Sequence, residues 1–268
     1  MRDDEELQRE LTRTALIALD GHAFALAGSG AIREHGMVDR ITHDVDLFTS
    51  DLDPAAFESA VEELIGELRR VGYDVDEVRR APQFAQLRVT TADGRSVDMD
   101  LAVDWREREP VTLSIGPVLS IEDAVGSKVG ALYSRTEARD YIDVDAIRAT
   151  GRFSDAELIT AAAGRDAGFD LDMFAHQLEL VQKIAPDRFA EYGVDAAQTD
   201  ALKARFSTWA TELRGENQAT AEQSERVQKF ANLDVPLRGS DVTGSPGTPS
   251  STTGHGQLYR DRDNGLGR

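Results

Sequence analysis

The sequence of 268 residues contains no cysteine. This absence excludes disulfide bonds, thiol chemistry and cysteine-based zinc sites. No run of about 18 apolar residues occurs, so we expect a soluble protein with no membrane partner. The five histidines do not form a metal-ligand spacing with one another. Residues 1–10 are too charged for a signal peptide, which predicts a cytoplasmic location.

Basic residues are also scarce relative to acidic ones. There are 30 Lys and Arg against 49 Asp and Glu, which gives a formal net charge of −19. Such a charge argues against broad, nonspecific binding to nucleic acid, although a local basic groove is compatible with it. The length suffices for one sizeable hydrophobic core and a second, smaller one.

The stretch around which the chain is organised begins with Gly28-Ser29-Gly30. A serine flanked by glycines suits a turn whose backbone N–H groups approach a phosphate closely. Taken alone, such a turn is more often an ordinary loop.

An alternating segment follows that turn and predicts a half-buried strand with Thr42, Asp44 and Asp46 on one face. Two carboxylates this close repel each other unless a cation lies between them, and Mg²⁺ with substrate phosphates is the usual solution. An Asp-x-Asp pair alone is commonly a solvated face. In this order and spacing, the turn and the acidic pair together favour nucleotide chemistry.

The remaining pattern up to residue 119 predicts an α+β domain. Apolar spacing predicts helices, and alternation predicts strands, the last two of which are joined by a hairpin at Ala92-Asp93-Gly94. The predicted helices cover 5–19, 31–35 and 57–70, and the predicted strands cover 23–27, 44–48, 73–78, 84–90 and 96–103. The last strand carries Asp98 and Asp100 on one face, and either acid would complete a three-carboxylate metal site with Asp44 and Asp46.

After Ser120, which with Asp123 resembles a capping box, the pattern predicts helices. Lys128, Arg135, Arg139 and Asp143 would lie within roughly 80° of one another on an unbroken helix. A turn near Thr136 would instead make a helical hairpin, and an exposed charged face is the ordinary alternative for the arginines. Lys128 lies among small apolar residues, which predicts a partly buried lysine with an anionic partner.

Further helices are predicted over 154–163, 171–184, 196–214 and 216–230, with Phe206 and Trp209 packed in a core or against a partner. Residues 234–268 are rich in Gly, Ser, Thr and Pro, which predicts a disordered tail.

Two blocks of motifs resemble the AbiEii/MenT nucleotidyltransferase toxins of the DNA polymerase β-like nucleotidyltransferase superfamily, over roughly residues 23–147. The blocks read Gly28-Ser29 with Arg40-x-Thr42-x-Asp44-x-Asp46, and Lys128-x-x-Ala131-x-x-x-Arg135-x-x-x-Arg139-Asp140-x-x-Asp143. The resemblance implies a mixed-sheet nucleotidyltransferase domain (1–119), an all-helical domain (120–233) and the tail (234–268).

The resemblance also implies a role for individual residues. Asp44 and Asp46 would bind Mg²⁺, with Asp100 preferred over Asp98 as third carboxylate because residues 101–103 look like the family's apolar continuation. Gly28, Ser29, Arg40, Thr42 and Lys128 would bind the nucleotide, and Lys128 and Asp143 would complete the catalytic site. Thr42 also lies where some related toxins carry a hydroxyl that an antitoxin can block by phosphorylation.

The implied reaction transfers a nucleoside monophosphate from an NTP to an acceptor, which in characterised relatives can be the 3′ end of tRNA, so that translation stops. NTP, tRNA and a cognate antitoxin are the expected partners. Two alternatives stay open at this point. One is a nucleotidyltransferase that modifies a small molecule such as an aminoglycoside, which the acidic net charge suits. The other is a module that only binds metal or a partner.

Overall fold

The computed structural model describes residues 2–40, 42 and 44–231. The predicted tail, 234–268, lies outside these residues. Met1–Ser224 form one compact unit, and the expected division into two domains after residue 119 stays a prediction. No helix in the described part of the chain is long and apolar enough to cross a membrane.

The first part of the chain mixes helices and strands. In order they are α1 (Arg2–Ala18), β1 (Ala25–Leu26), α2 (Gly28–Glu34), β2 (Asp44–Thr49), α3 (Pro54–Arg70), β3 (Asp74–Ala81), β4 (Phe84–Thr90), β5 (Ser96–Val103), β6 (Val111–Leu113) and β7 (Gly116–Val118). The second part is helical. Its elements are α4 (Ile121–Ser134), α5 (Ala138–Ala149), α6 (Asp155–Ala163), α7 (Leu171–Glu179) with a 3₁₀ turn (Leu180–Lys183), α8 (Pro186–Ala190) and α9 (Ala196–Ala231).

The described strands form one mixed sheet in the order β3-β4-β5-β2-β1-β7-β6. The pairs β2–β5 and β1–β7 are parallel, and the other neighbours are antiparallel. The predicted α+β class is confirmed. The parallel pairing of β2 with β5 matters most for function, because it places Asp44 opposite Asp98 and Asp46 opposite Asp100.

Alternation along β2 explains why its acidic residues stay available. Val45, Leu47 and Thr49 are buried on one face, while Asp44, Asp46 and Phe48 lie on the other and are only partly buried. The buried face packs in a core to which α3 contributes an apolar stripe that includes Phe57, Val61 and Leu64. Each fully buried side chain of this kind contributes about 1.5–3 kcal/mol relative to exposure. This core therefore holds β2 in one register, with its carboxylates facing outward.

The segment with the second block of motifs is a helical hairpin rather than one helix. Helix α4 ends at Ser134, because the backbone at Arg135 is extended (φ −147°, ψ 156°), and α5 begins at Ala138. Of the two predicted arrangements, the turn near Thr136 is the correct one. Gly126 allows α4 to pack closely on α6, since a Cβ there would lie 2.9 Å from the carbonyl oxygen of Ala161.

Several other boundaries differ from the sequence prediction. Helix α2 begins at Gly28, so the Gly-Ser-Gly stretch is the first turn of a helix. Strands β6 and β7 were not predicted, and the helices expected over 196–214 and 216–230 are one helix, α9. The predicted core positions of Phe206 and Trp209 are confirmed, because both side chains are buried and pack beside Tyr141 and Phe174.

Candidate active site

A cavity of about 290 Å³ opens over the carboxylate-bearing face of the sheet. Strands β2, β4 and β5 form one wall, and α4, α5 and the turn between them form the other. The residues that line it are Gly28, Ser29, Asp44, Asp46, Phe48, Phe84, Asp100, Ala102, Ser127, Lys128, Ala131, Ser134, Arg135 and Arg139. Both blocks of motifs therefore contribute to one cavity.

Gly28 occupies a position that only glycine fits. Its φ is +56°, and a Cβ at this residue would lie 1.8 Å from Oδ2 of Asp46. The backbone N–H of Ala27 donates a hydrogen bond of 2.8 Å to the carbonyl oxygen of Asp46. The turn from β1 into α2 thus closes directly against Asp46, with Ser29 beside it.

Asp46 lies at the centre of the acidic group. Burial, reinforced by the neighbouring charges of Asp44 and Asp100, raises the pKa of Asp46 to about 7. Burial likewise raises the pKa of Asp100, and the charges of Asp44 and Asp98 act in the same direction. The ionised forms of these carboxylates are therefore unfavourable unless positive charge lies close by.

Asp44 and Asp100 each have a protein partner. Nη1 of Arg139 lies 3.1 Å from Oδ2 of Asp44, and Nε2 of Gln86 donates a hydrogen bond of 2.9 Å to Oδ1 of Asp100. Asp98 does not line the cavity and instead pairs with Arg88 at 2.8 Å. Of the two candidates for a third carboxylate, the one that faces the cavity is Asp100.

Among the residues that the structure describes, no three His, Asp or Glu side chains are grouped closely enough to hold a metal ion. The three-carboxylate site expected from the sequence is thus not assembled in this conformation, in which Asp44 and Asp100 bind Arg139 and Gln86. Two carboxylates with substrate phosphates are nevertheless a common magnesium site. The hard oxygen donors of Asp44 and Asp46, and the unfavourable charge on Asp46, fit such a cation.

A buried cluster of charges lies behind Ser29. The Asp143 carboxylate, fully buried, accepts hydrogen bonds from Ser29 Oγ (2.7 Å), Arg40 Nε (2.6 Å) and Arg40 Nη2 (2.7 Å), and Lys128 Nζ lies 2.9 Å from it. Burial alone would raise the pKa of Asp143, but Lys128 and Arg40 hold it below its usual value. Asp143 does not itself line the cavity, because these partners surround it.

Lys128 has a second acidic partner that sequence reasoning left without a role. Asp140 is fully buried, lies 3.2 Å from Lys128 Nζ and accepts two hydrogen bonds from Arg135, at 2.7 and 3.1 Å. The hydrogen bond to Asp140 raises the pKa of Arg135. Lys128, only 6% exposed, is thereby held between α5 and Ser29, to which its ammonium donates a hydrogen bond of 3.1 Å.

Arg40 and Thr42, both predicted to bind nucleotide, do not line the cavity. Arg40 is held by Asp143 and lies over the ring of Tyr192, 5.1 Å from its centroid. The buried hydroxyl of Thr42 donates a hydrogen bond of 2.7 Å to Gln8, whose amide in turn donates to the carbonyl oxygen of Asp44. Arg40 therefore helps to hold Asp143 behind the cavity, and Thr42 helps, through Gln8, to hold the backbone of Asp44. The Thr42 side chain is buried in this conformation.

Sequence reasoning gave no role in the site to several residues that belong to it. Phe48 and Phe84 line the cavity, Gln86 contacts Asp100, and Arg139, which the second block of motifs includes, also lines the cavity. The alternation that identified Asp44 and Asp46 continues to Phe48, so that residue could have been found from the same pattern. Phe84 and Gln86 required the register of the β4–β5 hairpin, which pairs Phe84 with Ala102 and Gln86 with Asp100.

Solved structures with a similar fold include nucleotidyltransferases. The chain resembles MenT4, a nucleotidyltransferase toxin of Mycobacterium tuberculosis, with 17% identity and a TM-score of 0.51, over 81% of this chain and 87% of MenT4. JHP933 of Helicobacter pylori is 17% identical with a TM-score of 0.46, over 85% of this chain and 99% of JHP933. A search of curated protein sequences finds no match.

The sequence itself matches a family model over residues 9–233, and that model describes the nucleotidyl transferase AbiEii toxin of type IV toxin–antitoxin systems. The match covers most of the chain, including both blocks of motifs and every residue that lines the cavity. The chain belongs to the AbiEii nucleotidyltransferase toxin family.

Proposed function

We propose that this nucleotidyltransferase toxin transfers a nucleoside monophosphate from an NTP to the 3′ end of tRNA, with Mg²⁺, and that this modification blocks translation. A cognate antitoxin would counteract it. The observation that carries the proposal is the cavity in which Asp44, Asp46 and Asp100 face Lys128 and Arg139, in a chain of the AbiEii family.

The reaction forms a bond between the acceptor hydroxyl oxygen and the α-phosphorus, and it breaks the bond from that phosphorus to the pyrophosphate leaving group. Asp44 and Asp46 would hold Mg²⁺ together with the triphosphate. The cation, when bound, would neutralise charge on the phosphate oxygens. Asp100, whose raised pKa favours proton uptake, would accept the proton of the acceptor hydroxyl.

Cationic side chains on the opposite wall would act on the triphosphate. Lys128 reaches Ser29, and Arg139 is 31% exposed in the cavity. Positive charge placed in advance where negative charge develops is the main protein contribution to phosphoryl-group transfer. Arg139 would exchange Asp44 for a phosphate oxygen, which frees that carboxylate for the cation.

Asp143, Asp140 and Arg40 would act as positioning residues. Their carboxylates and guanidinium are bonded to Ser29, Lys128 or one another and do not face the cavity. Because Asp143 lies on α5 and Arg40 precedes β2, this cluster ties the helical wall of the cavity to the sheet wall.

A labelling experiment tests the proposal. The purified protein is incubated with each of the four NTPs labelled at the α-phosphate, together with Mg²⁺ and total RNA, and the products are separated by size. We expect label on tRNA, released by trimming of its 3′ end, and none with Asp44→Ala. Label on an aminoglycoside added in place of RNA would instead support the small-molecule alternative, and label on neither would support a module that only binds.

A further inference from the structure

A short apolar row lies beside the carboxylates on the same face of the sheet. Strand register aligns Phe48 of β2, Ala102 of β5 and Phe84 of β4, next to the row Asp46, Asp100 and Gln86. All three apolar side chains line the cavity. None of the catalytic roles above uses them.

The row extends away from the triphosphate side of the cavity. Ser29 follows β1, which flanks β2 on one side, whereas Phe84 lies on β4, beyond β5 on the other. In an in-line displacement, the attacking and leaving oxygens lie on opposite sides of the phosphorus. With pyrophosphate leaving toward Ser29 and Lys128, the acceptor must approach from the side of Asp100 and Phe84.

The spacing of the row suits a flat group. Neighbouring strands are about 4.8 Å apart, so the backbones at Phe48 and Phe84 are separated by about 10 Å, with only the methyl group of Ala102 between them. The guanidinium of Arg79 lies 5.3 Å from the centroid of the Phe84 ring. Aromatic rings next to a cation are the usual platform for the bases of single-stranded nucleic acid, which stack on them with little sequence preference.

We propose that Phe84, together with Phe48, stacks on the terminal base of a single-stranded RNA acceptor and so selects nucleic acid as the acceptor class. The proposal rests on the nucleotidyl transfer proposed above and deepens it. An aminoglycoside is a polycation and would need carboxylates along the acceptor side, where this apolar row presents two phenylalanines, an alanine and, beside Phe84, an arginine.

Two substitutions separate stacking from apolar contact. Phe84→Leu removes the ring and keeps an apolar side chain of similar size, whereas Phe84→Tyr keeps the ring. Phe153→Leu is the matched control, because it makes the same change in a partly buried phenylalanine that lines a different cavity. Thermal melting of all three variants verifies that they fold.

The first readout does not require catalysis. Fluorescence anisotropy measures the Kd of a short, fluorescein-labelled single-stranded RNA with the full chain. A lost base stack weakens binding by about tenfold or more, so we expect at least a tenfold rise in Kd for Phe84→Leu and less than a threefold change for Phe84→Tyr and Phe153→Leu. The second readout is steady-state transfer, where Phe84→Leu should raise KM for RNA and leave KM for NTP unchanged.

The outcomes distinguish this inference from the proposed function. Normal RNA binding and transfer by Phe84→Leu overturns the inference and leaves the transfer reaction intact. A rise in KM for NTP alone also overturns it, because the ring would then contact the nucleotide. If no RNA is labelled by the wild type but Phe84→Leu still loses RNA binding, the transfer proposal fails and the stacking site stands.

Discussion

Asp46 should make the protein less stable as the pH rises, when no divalent cation is present. Its pKa is raised from 3.8 to about 7 in the folded chain, chiefly by burial and then by the charge of Asp44. Between these two values the folded state binds more protons than the unfolded state, so the free energy of unfolding falls as the pH increases. The loss is complete above about pH 7, and the group contributes no penalty below pH 4.

The magnitude follows from the size of this difference. Each pH unit between the folded and unfolded pKa corresponds to about 1.4 kcal/mol. Because the charge of Asp46 interacts with the charges of Asp44 and Asp100, the shift does not belong to Asp46 alone. We therefore expect the ionised Asp46 to lower the free energy of unfolding by about 2–4 kcal/mol at pH 8. Asp46→Asn keeps the shape of the side chain without the charge and should remove this penalty.

Urea unfolding in EDTA, followed by circular dichroism at several pH values, measures the effect. From pH 5 to pH 8, the stability of Asp46→Asn relative to wild type should increase by about 2–3 kcal/mol. Asp98→Asn is the control, because it makes the same change on the same sheet face in an exposed pair with Arg88, outside the cavity. A constant difference between Asp46→Asn and wild type over this range would refute the reasoning.

Three further changes have definite expected outcomes. Gly28→Ala should abolish transfer, because its Cβ would displace the Asp46 carboxylate, and full activity in this variant would contradict the expectation. Gly130→Ala is the control: beyond the adjacent backbone of its own helix, no atom lies within 4 Å of the new methyl group, so this variant should keep activity and gain about 0.5–1 kcal/mol of stability in urea. Lys128→Ala should lower kcat about a hundredfold. Lys128→Arg should not fully restore kcat, since a planar guanidinium cannot replace an ammonium held between two carboxylates. Near-normal turnover in Lys128→Ala would show that Lys128 has no role in the mechanism. Asp143→Asn should lower the free energy of unfolding by about 3 kcal/mol, because the buried cations of Arg40 and Lys128 lose their shared charged partner. An unchanged urea unfolding curve would show that this cluster does not stabilise the fold.

The central strand pair was predictable because its pattern is local. Alternation in β2 and β5 requires only that one face be buried, so the outward position of Asp44, Asp46 and Asp100 could be read from the sequence. The hairpin turn at Asp93-Gly94 then fixes which residues of β4 and β5 lie opposite each other. The same reasoning reaches Phe84, because the register that this turn sets pairs it with Ala102.

The contacts of Arg40 could not be predicted from local pattern. It pairs with Asp143, which is 103 residues away, and only the tertiary packing of α5 on α4 and of α4 on α2 brings them together. For Lys128 and Asp143 the sequence left both an unbroken helix and a helical hairpin open, and the two residues meet across the α4–α5 hairpin. Strands β6 and β7 have three residues each, which is too short for alternation to distinguish them from a loop.

The most direct test of the account compares the fate of the two ends of the triphosphate. RNA is incubated with the protein, Mg²⁺ and an NTP labelled either at the α- or at the γ-phosphate, for the wild type and for Asp44→Ala. Nucleotidyl transfer predicts that the α-label joins the 3′ end of the RNA and that the γ-label appears only in pyrophosphate. Asp44→Ala, which a thermal melting curve should show to be folded, is expected neither to label the RNA nor to release labelled pyrophosphate. Transfer of the γ-label to RNA, or equal labelling by Asp44→Ala, would contradict the account.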